Sequence, residues 1–153
     1  MRMHHTRSWS RRMAGAALAI SAMAAITGIS ACSSSAPASS STSSTSGQHM
    51  AASDFSAAVK KPGTIVLDVR TPAEFASGHL PQAQNIDIEA ADFATRIAAL
   101  DKNATYAVYC HSGNRSGVAM EQMVTVGFNH VYDLAGGIGA WQSMGGPMKM
   151  GGN

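Results

Sequence analysis

The stretch from Thr64 to Glu74 constrains the fold more than any other part of this chain. Thr64-Ile-Val-Leu-Asp-Val69 is an apolar run rich in β-branched residues, the pattern of a strand buried on both faces. Thr71-Pro72-Ala73-Glu74 follows at once, a capping box with proline at the first helical position. A buried strand that runs straight into a helix excludes a hairpin, and the same alternation recurs downstream. Ser53 to Lys60 reads as a short helix capped by Ser53 and stopped by Pro62-Gly63. Gly78 closes the helix after the capping box, and Gln84 to Ile88 reads as a second strand. A helix is expected over Ala90 to Leu100, with Phe93, Ile97 and Leu100 on one face. A strand follows over Thr105 to Tyr109, then a helix from Ser116 to Val126 that buries Ala119, Met120 and Met123. The pattern ends with a strand at His130 to Leu134 and a helix at Ile138 to Met144. Strands separated by helices at these distances pair in parallel, so the expected class is α/β, a parallel sheet with helices on both faces. Ligands of such sheets bind beyond the carboxyl ends of the strands.

This pattern occupies only residues 50–150. The first twelve residues hold four arginines and no acid, and Met13 to Ala31 carry no charge. A basic start followed by an apolar, alanine-rich stretch has the layout of a secretory signal. It ends in Ile29-Ser30-Ala31-Cys32, which resembles a bacterial lipobox, with cleavage expected before Cys32 and lipid on its thiol. Residues 1–31 are therefore expected to be a lipoprotein signal. Residues 32–49, almost all Ser, Thr, Ala, Pro and Gly, are expected to be a lipidated cysteine and a flexible linker. The domain would then stand outside the cytoplasm, tethered to a membrane of the bacterial envelope. Removing the four leader arginines turns the net charge from +2 to −2, so the basic balance argues for no nucleic-acid partner. Cys32 and Cys110, the two cysteines, fit no metal spacing.

Chemistry is concentrated in Cys110-His-Ser-Gly-Asn-Arg-Ser116, between an expected strand and an expected helix. The permissive residues after Cys110 let the backbone curl with its N–H groups inward, and the helix start adds N–H groups that lack internal partners. A thiolate in that field should form readily and be nucleophilic near neutral pH. Arg115 is unfavourable for the dipole at a helix start and asks for an anion, either a substrate oxyanion or a carboxylate such as Glu74 or Asp68. His111 could donate to substrate or sulfur, or simply be exposed. Ser112 and Ser116 can donate hydroxyl bonds into the pocket, whereas Gly113 is expected to serve the turn alone.

Three segments resemble the rhodanese (thiosulfate sulfurtransferase) family: Leu67 to Ile86, the loop Cys110 to Gly117, and Gly127 to Trp141 with Gly146-Pro147 after it. One departure is Gln82, where the family typically has glycine after Pro81. The resemblance implies a single rhodanese domain in which Cys110 takes the outer sulfur of thiosulfate or a polysulfide. The resulting persulfide would then be discharged to cyanide or another thiol. In that scheme His111, Ser112, Gly113, Asn114, Arg115 and Ser116 form the loop that binds substrate and persulfide, with Asp68, Arg70 and Glu74 in support. No cofactor or metal is implied. The four residues between Cys110 and Arg115 are one fewer than in related phosphatases and arsenate reductases, and the smaller ring suits a single sulfur. A persulfide carrier or sulfur-sensing module with little turnover is the alternative. Met144, Met148 and Met150 offer thioethers of the kind that select Cu(I), but without ligand geometry they read as a plain tail.

Overall fold

A computed structural model describes residues 46–151. The basic leader, the apolar stretch, Cys32 and most of the Ser/Thr-rich segment lie outside the described residues. Five parallel strands form one sheet: β1 (Gln48–Met50), β2 (Thr64–Asp68), β3 (Gln84–Asn85), β4 (Thr105–Tyr109) and β5 (His130–Leu134). Their spatial order is β1-β5-β4-β2-β3, which puts β4 in the centre. The helices are α1 (Ala52–Val59), α2 (Pro72–Ala76), α3 (Phe93–Ala98), α4 (Asn114–Thr125) and α5 (Gly137–Ser143). None of the helices among the described residues is long and apolar enough to cross a membrane.

The period of two along β4 divides the interior. Tyr106, Val108 and Cys110 face the core under α3 and α4, with Phe93, Met120 and Met123. Ala107 and Tyr109 face the other core, with Phe55, Tyr132 and Trp141. Phe55 meets Tyr132 and Trp141 edge-on, with ring centroids 5.8 and 6.2 Å apart, a geometry worth about 1 kcal/mol per pair beyond burial. Both layers are needed because the central strands carry no polar face.

The α/β class and the parallel pairing are as the sequence predicts, and several local expectations change. Gln48 and His49 were expected in the linker but pair in β1 beside β5, opposite Tyr132 and Asp133. α1 is capped by Ala51 without a side-chain bond, not by Ser53, because the chain leaves β1 directly into the helix. β3 is two residues long rather than five, as befits an edge strand, and α3 is shorter than expected at both ends. α4 starts two residues early, because Gly113 adopts φ 100° and turns the chain directly into the helix. The capping box forms as expected, with Thr71 Oγ1 accepting from the Glu74 amide and the Thr71 amide donating to Glu74 Oε2. Gln82 takes φ 63°, so the turn keeps a glycine-like conformation on a residue with a side chain.

The C-terminal segment is more ordered than a plain tail. Lys149 exchanges backbone hydrogen bonds with His79 at 2.9 and 2.8 Å, and Trp141 Nε1 donates to the Pro147 carbonyl at 3.0 Å. Met148 packs against the core under α1 and α5, and the segment becomes a strap across the start of the β3 approach.

Candidate active site

Cys110 follows the last residue of the central strand, at the carboxyl edge of the sheet. It is a free thiol with no accessible surface. Two neighbours shape the loop that follows. The Cys110 and His111 carbonyls accept from the Ile138 and Gly139 amides of α5, at 2.8 and 3.4 Å. With those carbonyls turned towards α5, the Gly113 amide swings back and donates to Cys110 Sγ at 3.1 Å. Gly113 therefore does more than make the turn. No side chain caps α4, so its amino-terminal N–H groups keep their partial positive charge beside the sulfur.

The close fit depends on Gly137. A Cβ there would meet the His111 carbonyl carbon and oxygen at 2.5 Å and the Cys110 oxygen at 2.6 Å, all backbone atoms that cannot swing aside. Bare backbone is what lets α5 approach the loop.

Arg115 lies in the first turn of α4, and its anion is protein. Its Nη1 and Nη2 donate to the two Glu74 oxygens at 2.9 and 2.7 Å, and Nη1 also reaches Glu89 at 3.4 Å. The hydrogen bond from Arg115 holds the Glu74 carboxyl down at about 2, against a smaller opposing effect of burial and with help from the Thr71 amide and hydroxyl. The same bond raises Arg115 above the ordinary guanidinium value. Asp68 is not part of this pair. Buried at the end of β2, it takes both Arg70 Nε and Nη2, and Arg70 Nη2 also donates to the Gly78 carbonyl at 2.7 Å. Burial works against the Arg70 charge, and the bonds to Asp68 more than reverse that. Asp68 and Arg70 thus clamp both ends of α2, and the clamped helix presents Glu74 to the loop.

His111, Ser112 and Asn114 are exposed along the loop. Ser116 is buried and turned away from the pocket: its Oγ lies 2.8 Å from Asp133 Oδ2 and 3.0 Å from the Gly113 carbonyl. A cavity of about 490 Å³ opens beside the loop, walled by Glu74, Gly78, His111, Ile138, Met148 and Met150. Sequence reasoning missed three contributors. Glu89 is one, a surface acid without a distinguishing neighbour. Gly137 carried its signal only as part of a glycine pair. Asp133 had a readable one, being an acid inside an otherwise apolar strand.

Fold and loop together define a class of protein: a parallel α/β domain that presents one cysteine, held by a backbone amide, at the end of its central strand. The Rhodanese-like domain family matches residues 51–144, and the chain belongs to that family. It is 36% identical over 91 residues to a thiosulfate sulfurtransferase GlpE from Pseudomonas fluorescens, an alignment spanning 59% of this chain and 81% of that one. A Pseudomonas aeruginosa GlpE is 37% identical over 94 residues, covering 61% and 83%. Among solved structures, a rhodanese-related protein from Thermoplasma volcanium superposes with TM-score 0.60 at 33% identity, over 67% of this chain and 98% of that one. A rhodanese-like domain from Anabaena gives TM-score 0.60 at 28% identity, over 67% and 78%.

Proposed function

We propose that this protein is a sulfurtransferase that works through a Cys110 persulfide. The observation that carries this reading is the Gly113 amide at 3.1 Å from a free thiol at the uncapped start of α4. The thiolate attacks the outer sulfur of a donor such as thiosulfate, the substrate in the names of the Pseudomonas relatives. The donor S–S bond breaks, sulfite leaves with the bonding pair, and Cys110 retains the sulfur as a persulfide. A thiol or cyanide then attacks that outer sulfur, and the cysteine thiolate is released. The amide and the helix start favour the thiolate and the persulfide anion alike, as donors fixed in place before charge develops. Covalent capture divides the transfer into two displacements and gives ping-pong kinetics. Arg115, held by Glu74, acts by keeping α2 against the loop rather than as a free anion receptor.

Intact mass after incubation with thiosulfate tests the first step. Wild type gains one sulfur atom and Cys110→Ser gains none; an unchanged wild type overturns the reading. Steady turnover with cyanide separates it from the persulfide-carrier alternative. That alternative draws its support from the complete burial of Cys110, which suits access granted by a docking partner.

The localisation reading rests on residues 1–49. We place the domain outside the cytoplasm, anchored by lipid on Cys32. Fatty-acid labelling is expected in wild type and absent in Cys32→Ala, and equal labelling of the two overturns it.

A further inference from the structure

Asp133 is a fully buried carboxylate for which the sulfur-transfer reading has no task. A lone charge there is costly unless it is paired. Its Oδ1 lies 2.6 Å from Nδ1 of His49, and its Oδ2 accepts from Ser116 Oγ at 2.8 Å. The Ser116 oxygen is also 3.0 Å from the carbonyl of Gly113, whose own amide donates to Cys110 Sγ. A line of contacts therefore runs from the imidazole to the sulfur. At the far end the His49 side chain is 59% exposed, whereas the carboxylate it meets is not exposed at all. The ring also rests against the first turn of α4, where a Cβ on Gly117 would sit 3.3 Å from its Cε1. β5 contributes Asp133 as the charged group facing the ring. On α4 the adjacent charged residue, Arg115, is turned to Glu74 and Glu89. His49 lies on β1, before the residues 51–144 that match the family.

We propose that His49 is a positioning residue for the Cys110 loop. Its charge balances Asp133, and Asp133 acts through Ser116 to fix the turn of α4 that aims the Gly113 amide at the sulfur. With the imidazole protonated, the pair is neutral. With the imidazole neutral, a net negative charge stays buried behind the loop, and like charge disfavours the thiolate and persulfide anions. A change in the charge of the imidazole would therefore register in the nucleophilicity of Cys110, and imidazole is the side chain type that ordinarily changes charge between pH 5 and 8. The consequence for sulfur transfer rests on the function proposed above; the behaviour of the thiol does not.

The test is the rate of Cys110 alkylation by iodoacetamide from pH 5.5 to 8.5 in wild type and His49→Gln, with rates compared at each pH. Glutamine keeps a hydrogen-bond donor and loses the charge, and both proteins retain His111, so its contribution is common to the two rate profiles. At pH 8.5 the two rates are expected to agree within about twofold, and at pH 6 the variant is expected to be about three- to tenfold slower, the effect of one unit charge acting through protein. In a Ser116→Ala background the His49 substitution is expected to add nothing at pH 6. Amide NMR is the second readout: Gly113 and Ser116 signals move with pH in wild type, and the part of that movement due to His49 disappears in His49→Gln. Rate profiles that superpose at every pH, or amide signals that move identically in both proteins, overturn the proposal. A normal alkylation result with no sulfur gained from thiosulfate would sink the sulfurtransferase reading alone.

Discussion

At the scale of single residues, Glu74 serves two structures at once. One of its oxygens closes the capping box of α2 on Thr71, and both oxygens receive the Arg115 guanidinium. Its folded-state value is depressed from 4.5 to about 2, so the stabilisation it provides is present above pH 4.5 and is lost as pH falls towards 2. The pair is about a third exposed, so solvent screening reduces its worth to about 1 kcal/mol. Glu74→Gln is therefore expected to cost about 1 kcal/mol in urea denaturation at pH 7 and almost nothing at pH 2. Gln82 offers a change of the opposite sign. Its φ of 63° is costly for any residue with a Cβ, and Gln82→Gly is expected to raise the urea midpoint by the equivalent of about 0.5 kcal/mol. The gain is small because glycine gives back part of it as chain entropy in the unfolded state.

At the scale of elements, α5 matters for what it lacks. Gly137→Ala would force a methyl into the His111 backbone. The expected result is a loss of more than about 2 kcal/mol together with slower Cys110 alkylation, both measurable on the purified variant. A chain starting at Ala51 would lose β1 and expose the edge of β5, with an expected cost of about 2 kcal/mol and self-association on gel filtration. What the sequence made legible follows from burial. β4 and β5 have the bounds expected of them because both are buried interior strands, rich in Val and Tyr and paired on two sides. The edge strands were harder: Gln48-His-Met has no periodicity to read, and β3 is cut to two residues because it pairs on one side only. The cysteine loop was visible as a motif, and its environment was not. Glu74 was one of the carboxylates the sequence offered to Arg115, but that Ser116 faces Asp133 and that Gly137 touches His111 are contacts between elements 17 or more residues apart, which no local pattern encodes.

At the scale of the whole molecule, the strand order puts Cys110 between the flanking β5 and β2, so every loop around it comes from the same edge of the sheet. All five strands point the same way. β1 is the first of them, and the residues just before it are fastened at the opposite pole: the Gly47 amide donates to the Val131 carbonyl at 2.8 Å and Ser46 Oγ to the Phe128 carbonyl at 2.9 Å. The chain thus enters the domain at the end farthest from the thiol. Point of entry and reactive sulfur are opposite ends of one sheet, so a probe fixed at Ser46 would report on the domain without crowding the thiol.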